Sequence, residues 1–248
     1  MSETRATLGT TISCQGLSST EPPTIEDRIA RGLASGRVST DEVIPFPAGW
    51  GIDLADLGHI RRGPRRAEIY ARLNDGWPTR FHRFRSPGGQ VIQITLRQDH
   101  PTEKKKFILP LRVERLVGIR PDIVVLGLAE PRPLFNLDQL AARQGAPVLF
   151  VEGEKSAEAA SARFPDVVAT TWLNGASGIG AADLRPIRGR DIIIWPDNDA
   201  PGRTAANQLA LRLSSIGAAT VRIVDVPSSF PAKWDLADSL PEMSLGQP

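Results

Sequence analysis

Two carboxylates separated by one residue, Asp197 and Asp199, follow an apolar run in the C-terminal half of the chain. The run, residues 191–195, is short, β-branched and bounded by turn residues, which is typical of a buried strand. In open α/β sheets, ligands bind outside the carboxyl ends of the strands. The spacing therefore places both acids where a ligand would bind, although Asp and Asn are also common in ordinary turns and helix caps.

A third acid, Glu152, follows a second predicted strand at residues 147–151. If the two strands are neighbours in a parallel sheet, the three carboxylates converge at one edge of it. Close carboxylates repel one another unless a hard cation lies between them, and Mg²⁺ binds few protein carboxylates while leaving positions for water and phosphates. Such a site suits phosphoryl or nucleotidyl transfer, in which one or two metals stabilise the attacking and leaving oxygens.

The residues beside these acids suit a phosphate group. Gly153 lets the backbone turn sharply after the glutamate, and Gly202 leaves space beside the path of the phosphate. Arg203 can donate to a phosphate oxygen. Lys155 is a further phosphate-binding candidate, although lysines in the first turn of a helix are usually solvated.

Alternating strands and helices predict the frame that positions these residues, an α/β domain with a parallel sheet and flanking helices. Its predicted elements are a helix at 134–143, a strand at 147–151, a helix at 155–163, a strand at 167–171, a glycine loop at 174–180, a strand at 191–195, a helix at 201–216 and a strand at 220–224.

The segment before this domain predicts an antiparallel meander, because short strand-like runs are separated by turn signals. Its predicted strands lie at 68–73, 79–84, 91–96, 106–113 and 123–128. We predict five parts in all: a disordered tail at 1–23, a short helix capped by Thr24 and a linker at 24–64, a smaller basic antiparallel β (α+β) domain at 65–130, the parallel α/β domain at 131–240, and a tail at 241–248.

The formal net charge of +2 conceals an asymmetry along the chain. Residues 59–120 carry 15 Lys or Arg and 5 Asp or Glu, a balance of +10, which leaves −8 for the remainder. A basic part joined to an acidic part suggests that one holds a polyanion and the other holds cations. The basic meander is therefore predicted to bind single-stranded nucleic acid through its phosphates. The candidate contacts are Arg61, Arg62, Arg65, Arg66, Arg80, Arg83, Arg85, Lys104, Lys105 and Lys106.

Composition excludes several classes of protein. The single cysteine, Cys14, forbids an internal disulfide and, with only three histidines, excludes a Cys/His zinc cluster. No apolar run approaches the ~20 residues that a membrane span needs, and no secretory signal is recognisable. We expect a cytoplasmic protein without a membrane partner.

Phe81 and Phe84 of the meander are expected to be core residues rather than stacking platforms.

The motifs Val-Glu-Gly-Glu-Lys at 151–155 and Asp-Asn-Asp-Ala-Pro-Gly-Arg at 197–203 resemble those of a Toprim domain. The residues of these motifs are most similar to those of Toprim proteins of phage and plasmid replication, of the primase or primase-helicase type. The resemblance covers residues 131–240. It implies that Glu152 is a catalytic acid/base and metal-site residue, and that Asp197 and Asp199 hold Mg²⁺ or Mn²⁺. A further segment, Lys233 to Asp238, resembles a Lys-Asp segment that closes the site, with Asp235 beside the metal and Lys233 at a phosphate.

The chain also departs from this family. Toprim motifs often place an aspartate four residues after the first glutamate, where this sequence has Ser156, and Glu154 is the nearby acid that could replace it. The sequence has neither cysteines for a zinc-binding module nor a P-loop for a helicase.

Three functions follow as hypotheses. The first is primase-type nucleotidyl transfer, which uses nucleoside triphosphates on a single-stranded DNA template, with a replicative helicase or relaxase on a separate chain as a further partner. The second is a Toprim nuclease or nickase that cuts a phosphodiester at the same site. The third is a non-catalytic DNA-binding replication accessory protein.

Overall fold

A computed structural model describes residues 21–35, 41–117, 120–227, 229–239 and 241. The predicted tails at 1–23 and 241–248 therefore lie almost entirely outside the described residues. The elements are α1 (Ile25–Ser35), α2 (Pro64–Asn74), β1 (Thr79–Arg85), β2 (Val91–Asp99), β3 (Lys106–Val117), β4 (Arg120–Val124), α3 (Leu137–Ala142), β5 (Val148–Val151), α4 (Glu154–Arg163), β6 (Val168–Thr170), α5 (Gly175–Gly178), β7 (Asp191–Trp195), α6 (Ala200–Ser215) and β8 (Thr220–Ile223), with single 3₁₀ turns at Asp56–His59, Ile179–Ala181 and Arg185–Ile187.

The predicted α/β architecture is confirmed as two four-stranded sheets. The first is antiparallel with strand order β1-β2-β3-β4, and the second is parallel with strand order β6-β5-β7-β8. Their hydrophobic cores meet, since Phe84 of β1 packs edge-on against Phe135 with 5.2 Å between ring centroids. Phe84 is fully buried, as predicted, and Phe81 is half-buried against a second apolar cluster beneath the antiparallel sheet.

The strand predicted at 68–73 is wrong, because these residues belong to helix α2. Pro64 occupies the first turn, where its missing N–H costs nothing. Arg65 and Arg72 flank Glu68 at spacings of three and four residues, with N–O distances of 3.2 and 3.7 Å. Ile69, which is completely buried, anchors the helix to the antiparallel sheet. Helical pairing and one buried face thus prevail over a run that looked strand-like.

Three other predicted elements differ from the structure. The strand predicted at 123–128 ends at Val124, and beyond it the Leu128 N–H donates to the Gln93 side chain at 2.7 Å instead of to a neighbouring strand. The glycine loop predicted at 174–180 is the short helix α5 followed by a 3₁₀ turn. It is tightly packed, since a Cβ on Gly178 would overlap the Leu173 carbonyl. The helix predicted at 134–143 is shorter, covering only α3.

The short helix predicted after Thr24 is confirmed as α1. The Thr24 side chain accepts from the Asp27 N–H at 3.1 Å, and the Asp27 carboxylate accepts from the Thr24 N–H at 3.0 Å, which forms a reciprocal cap. Arg28 of this helix is buried and donates to the carbonyls of Asp41 and Pro131, at 2.8 Å each. The linker is thereby fastened to the parallel domain. Among the described residues, no helix is long and apolar enough to cross a membrane.

Candidate active site

The predicted acids meet at the carboxyl edge of the parallel sheet. Strands β5 and β7 are hydrogen-bonded neighbours, and their last residues, Val151 and Trp195, are partners in the register. Glu152 follows one strand directly, and Asp197 follows the other after a single proline. The structure therefore brings Glu152 and the Asp197-Asn-Asp199 turn to one place, as the sequence predicted.

Asp199 caps helix α6 and so fixes the orientation of the acidic turn. Its Oδ1 accepts from the Gly202 N–H at 2.7 Å, and its backbone is extended, as at a typical N-cap. Gly202 packs against the turn itself. A Cβ at that position would lie 2.6 Å from the Asp197 carbonyl oxygen and 3.1 Å from the Asp197 Cβ. Gly202 was predicted to leave space for a phosphate, and the space that it leaves holds the backbone of Asp197.

Asn198 fastens a second acidic segment to this turn. Its backbone N–H donates to the Trp234 carbonyl at 3.0 Å, and its carbonyl accepts from the Lys233 N–H at 2.9 Å. Its side-chain amide donates to the Phe230 carbonyl at 2.9 Å. Lys233 adopts a left-handed backbone with φ of 64°, which makes the sharp turn before Asp235. Asn198 was not predicted as a site residue, and its position between two acids was the only signal in the sequence.

The acids share one electrostatic environment. Burial raises the pKa of Asp197 to about 8, with further contributions from the Glu152, Asp235 and Asp199 carboxylates, while Lys106 opposes the shift. Burial also raises the pKa of Glu152, the Asp199 carboxylate adds to this, and Lys106 again opposes it. Burial and the neighbouring carboxylates thus disfavour the ionised forms of Asp197 and Glu152, and a bound cation would stabilise those forms. Asp235, which was predicted as a site residue only from the resemblance, thus lies close enough to Asp197 to affect its pKa.

The donor set suits a hard cation that retains much of its water. All four acids offer oxygen, which Mg²⁺ prefers, and Mg²⁺ commonly uses one or two carboxylates with water and phosphate in the other positions. In the part of the chain that the structure describes, no three His, Cys, Asp or Glu side chains are grouped closely enough to hold a metal ion by themselves. Asp199 and Asp235 each use Oδ1 to accept a backbone N–H.

Glu154 does not take the place of the aspartate that Toprim motifs often have at the position of Ser156. The Glu154 Oε1 accepts from the Thr95 hydroxyl of β2 at 2.9 Å, so this carboxylate contacts the antiparallel sheet. Ser156 itself is 3% exposed and packs in the core. Lys155, the predicted phosphate ligand, lies at the limit of an ion pair with Asp238, with 4.0 Å between Nζ and Oδ1.

One face of the antiparallel sheet presents basic side chains toward this edge. Arg80 pairs with Arg97 across β1 and β2, and Asp99 pairs with Lys106 across β2 and β3. Since side chains alternate along a strand and partners across strands share a face, Arg80, Arg97 and Lys106 lie on the same face as Thr95, which contacts α4. The basic face and the acidic sheet edge thus form the two sides of one cleft.

The structure brings only some of the predicted basic residues to this cleft. Arg97 was not predicted, because the predicted strand ended at residue 96, although continued alternation from residues 93 and 95 would have found it. Arg83 donates to the carbonyls of Ile52 at 2.7 Å and Gly51 at 3.2 Å, so it holds the linker in place. Arg85 donates to the Gly89 carbonyl at 2.9 Å within its own hairpin.

The other predicted contacts lie on α2, the linker and the β2–β3 turn. Arg61 forms ion pairs with Glu114 and Asp122, and Arg66 lies over the Tyr70 ring. Arg62 and Lys104 are exposed, as are Arg65, which pairs with Glu68, and Lys105, which pairs with Glu103.

Two cavities lie at opposite edges of the parallel sheet. One of about 300 Å³ opens beside Asp197, where Arg203 and Asn207 of α6 face the end of β8. A larger one of about 560 Å³ lies between α1, α3 and the residues that precede β7, at the opposite edge from the acids. The smaller cavity is therefore the one that belongs to the candidate site.

No protein-family model matches the sequence. No curated protein matches it either. Among solved structures, the chain is similar to the DnaG catalytic core, with a TM-score of 0.43 and 16% identity over 85% of this chain and 62% of that one. It is similar to the primase fragment of the bacteriophage T7 primase-helicase, with a TM-score of 0.40 and 17% identity over 66% of this chain and 58% of that one.

A third similar structure is the E. coli primase catalytic core, with a TM-score of 0.40 and 17% identity over 87% of this chain and 69% of that one. The chain spans less than two thirds of the length of the first two structures. All three of these solved structures are parts of DNA primases, the class of protein that the sequence motifs resemble.

Proposed function

We propose that this chain catalyses metal-dependent phosphoryl transfer on nucleic acid, as a primase-type nucleotidyltransferase that joins nucleoside triphosphates on single-stranded DNA. One observation carries the proposal. The carboxylates of Glu152 and Asp235, which come from two other segments, are close enough to Asp197 to raise its pKa. The basic face of the antiparallel sheet lies across from these three acids. Acids that hold a cation and bases that hold a polyanion are the two requirements of this chemistry.

The proposed roles follow from position. One or two carboxylates among Asp197, Asp199 and Asp235, together with water, would hold Mg²⁺ or Mn²⁺, which when bound would stabilise charge on the attacking and leaving oxygens. The raised pKa of Glu152 suits it to take a proton from an attacking hydroxyl. Lys106 lies near enough to affect both Glu152 and Asp197, so its ammonium group can meet a phosphate between them.

The template would lie along the basic face, in contact with Arg80 and with Arg97, whose guanidinium pairs with Asp99 at 2.8 Å. Binding through phosphates is largely independent of sequence and weakens steeply as salt rises. A replicative helicase or relaxase on a separate chain is the proposed partner, in the replication of a phage, plasmid or other mobile element.

The test is one incubation of the full chain with single-stranded DNA, labelled nucleoside triphosphates and Mg²⁺ or Mn²⁺. We expect labelled oligonucleotides that depend on both template and metal, and that disappear in Asp197→Ala. Asp166→Ala is the matched control, because Asp166 is an exposed acid at the opposite edge of the same sheet, before β6.

Other outcomes assign the other functions. Cleavage of a labelled strand without synthesis would reject the primase assignment in favour of a nuclease or nickase. Neither reaction, with salt-sensitive DNA binding retained in Asp197→Ala, would reject an enzyme and leave a DNA-binding accessory protein.

A further inference from the structure

The cavity of about 300 Å³ beside Asp197 is built from one βαβ unit. Strands β7 and β8 are hydrogen-bonded parallel neighbours, with Ile194 opposite Ile223, and α6 connects them. The cavity lies where the carboxyl ends of both strands meet the first turns of this helix. Ligands of open parallel sheets bind at this edge, and the volume is at the small end of the range for ligand pockets.

Besides Asp197 and Asn198 of the acidic turn, three polar side chains of different chemistry line the cavity. Arg203 and Asn207 are four residues apart on α6, so they share one face of the helix. Asp225 follows β8 on the opposite wall. A guanidinium donates only, a carboxylate accepts only and an amide does both, so together they match a phosphate, a sugar hydroxyl and the edge of a base.

The remaining wall is apolar and open. Ile223 is one of the few large hydrophobic side chains in the described residues that are well exposed, at 42%, and Val224 and Val226 continue the same wall. Apolar surface beside a few convergent polar groups is typical of a ligand site. A flat aromatic base is the part of a nucleotide that would cover it.

The position of Asp225 specifies the sugar contact. In nucleotide-binding βαβ units, an acid at the end of the second strand accepts a hydrogen bond from the ribose 2′-hydroxyl. Asp225 stands at that place relative to β7, α6 and β8. The first turn of α6 is already capped by the Asp199 carboxylate, so the phosphates of a ligand would lie toward Arg203 and the acids rather than at the helix terminus.

We propose that this cavity binds the base and ribose of a nucleoside triphosphate, and that Asp225 selects ribonucleotides by accepting from the 2′-hydroxyl. Asn207 contacts the base, and Arg203 contacts a phosphate. The proposal rests on the proposed function, because it supplies that site with its substrate, but nucleotide binding needs neither DNA nor turnover and can be tested alone.

The experiment is calorimetric titration of the full chain with ATP and with 2′-deoxy-ATP in Mg²⁺, without DNA. We expect wild type to bind ATP more tightly than deoxy-ATP by about tenfold, the worth of one hydrogen bond to a charged group. Asp225→Ala should weaken ATP by this factor and leave deoxy-ATP unchanged, which removes the discrimination. Asp166→Ala is the matched acid control and should behave as wild type.

Asn207→Ala should weaken both nucleotides equally, whereas Gln208→Ala, an exposed neighbour on α6 outside the cavity, should weaken neither. The proposal is overturned if wild type does not bind ATP, if it binds both nucleotides equally, or if Asp225→Ala weakens both alike. Intact discrimination without any oligonucleotide synthesis would instead reject the nucleotidyl-transfer function and keep the binding site.

Discussion

Nδ1 of His82, a buried residue of β1, lies 2.9 Å from Oε1 of Glu158 on α4. One turn earlier on the same helix, Glu154 accepts from Thr95 of β2, also at 2.9 Å. Helix α4 begins two residues after Glu152, so these two contacts fasten the basic sheet to the element that follows the first catalytic candidate. They set the width of the cleft between the basic face and the acids.

Removing the Glu158 carboxylate should destabilise the protein. His82 is 1% exposed, and its ring Nε2 has no hydrogen-bond partner among the described residues. Glu158→Ala would leave both ring nitrogens unsatisfied, at a cost of about 1–3 kcal/mol in the free energy of unfolding. Urea denaturation measures this, and Glu158→Gln is the control because its amide oxygen can still accept. Equal stability of all three proteins would show that the contact contributes nothing.

Gly202→Ala should displace the acidic turn. The added methyl would lie 2.6 Å from the Asp197 carbonyl, so the turn or helix α6 must shift. Overpacking of this kind costs about 1–3 kcal/mol. Gly180→Ala is the control, because a Cβ there meets no atom within 4 Å. We expect Gly202→Ala to have a lower melting temperature and weaker oligonucleotide synthesis, and a Gly202→Ala protein as stable as wild type would contradict close packing of Gly202 against Asp197.

The parallel sheet was predictable because its central strands, β5 and β7, form continuous apolar runs, and because Pro201 marks the start of a helix. Their adjacency also put Glu152 beside Asp197 in the expected way. The spacing of Arg65, Glu68 and Arg72 is compatible with a helix, but what decides α2 over a strand is the burial of Ile69 against a sheet that is distant in sequence. Propensity is a weak guide where tertiary contacts decide the element.

The cleft illustrates the same limit. Whether Lys106 faces the acids or the opposite side depends on its pairing with Asp99, and a shift of one residue in the register would reverse it. The approach of Asp235 depends on backbone hydrogen bonds to Asn198, which no side-chain pattern encodes. The sequence thus indicated which residue types form the site, whereas the strand register and loop docking decide which of them meet.

Lys106→Ala should reduce catalysis more than the same substitution at a neighbouring lysine does. Lys106 is the cation that opposes the raised pKa of both Glu152 and Asp197, so it lies within electrostatic reach of the acids. Loss of a group that stabilises charge in the transition state lowers turnover by about two to three orders of magnitude. Lys105→Ala is the matched control, since that ammonium pairs with Glu103 at 2.6 Å. Equal losses in the two variants would indicate a general charge effect.

The raised pKa of Asp197 predicts how stability depends on pH. The carboxyl titrates at about 8 in the folded protein against an ordinary value of 3.8, so between these values the folded state binds more protons than the unfolded state. Stability without divalent metal should therefore fall as pH rises from about 4 to about 8, by at most ~1.4 kcal/mol per pH unit from this group. Thermal unfolding in a chelator across this range measures the slope.

Metal and mutation should each reduce this slope. Mg²⁺ binds the ionised carboxylate, so it should raise the melting temperature more at pH 8 than at pH 6. Asp197→Asn cannot ionise, so without metal it should be more stable than wild type at pH 8, and it should lose both the slope and the response to Mg²⁺. Asp166→Asn, which changes an exposed acid at the other edge of the sheet, should retain both. A slope unchanged in Asp197→Asn would mean that other groups titrate in this range and that Asp197 is already ionised at neutral pH.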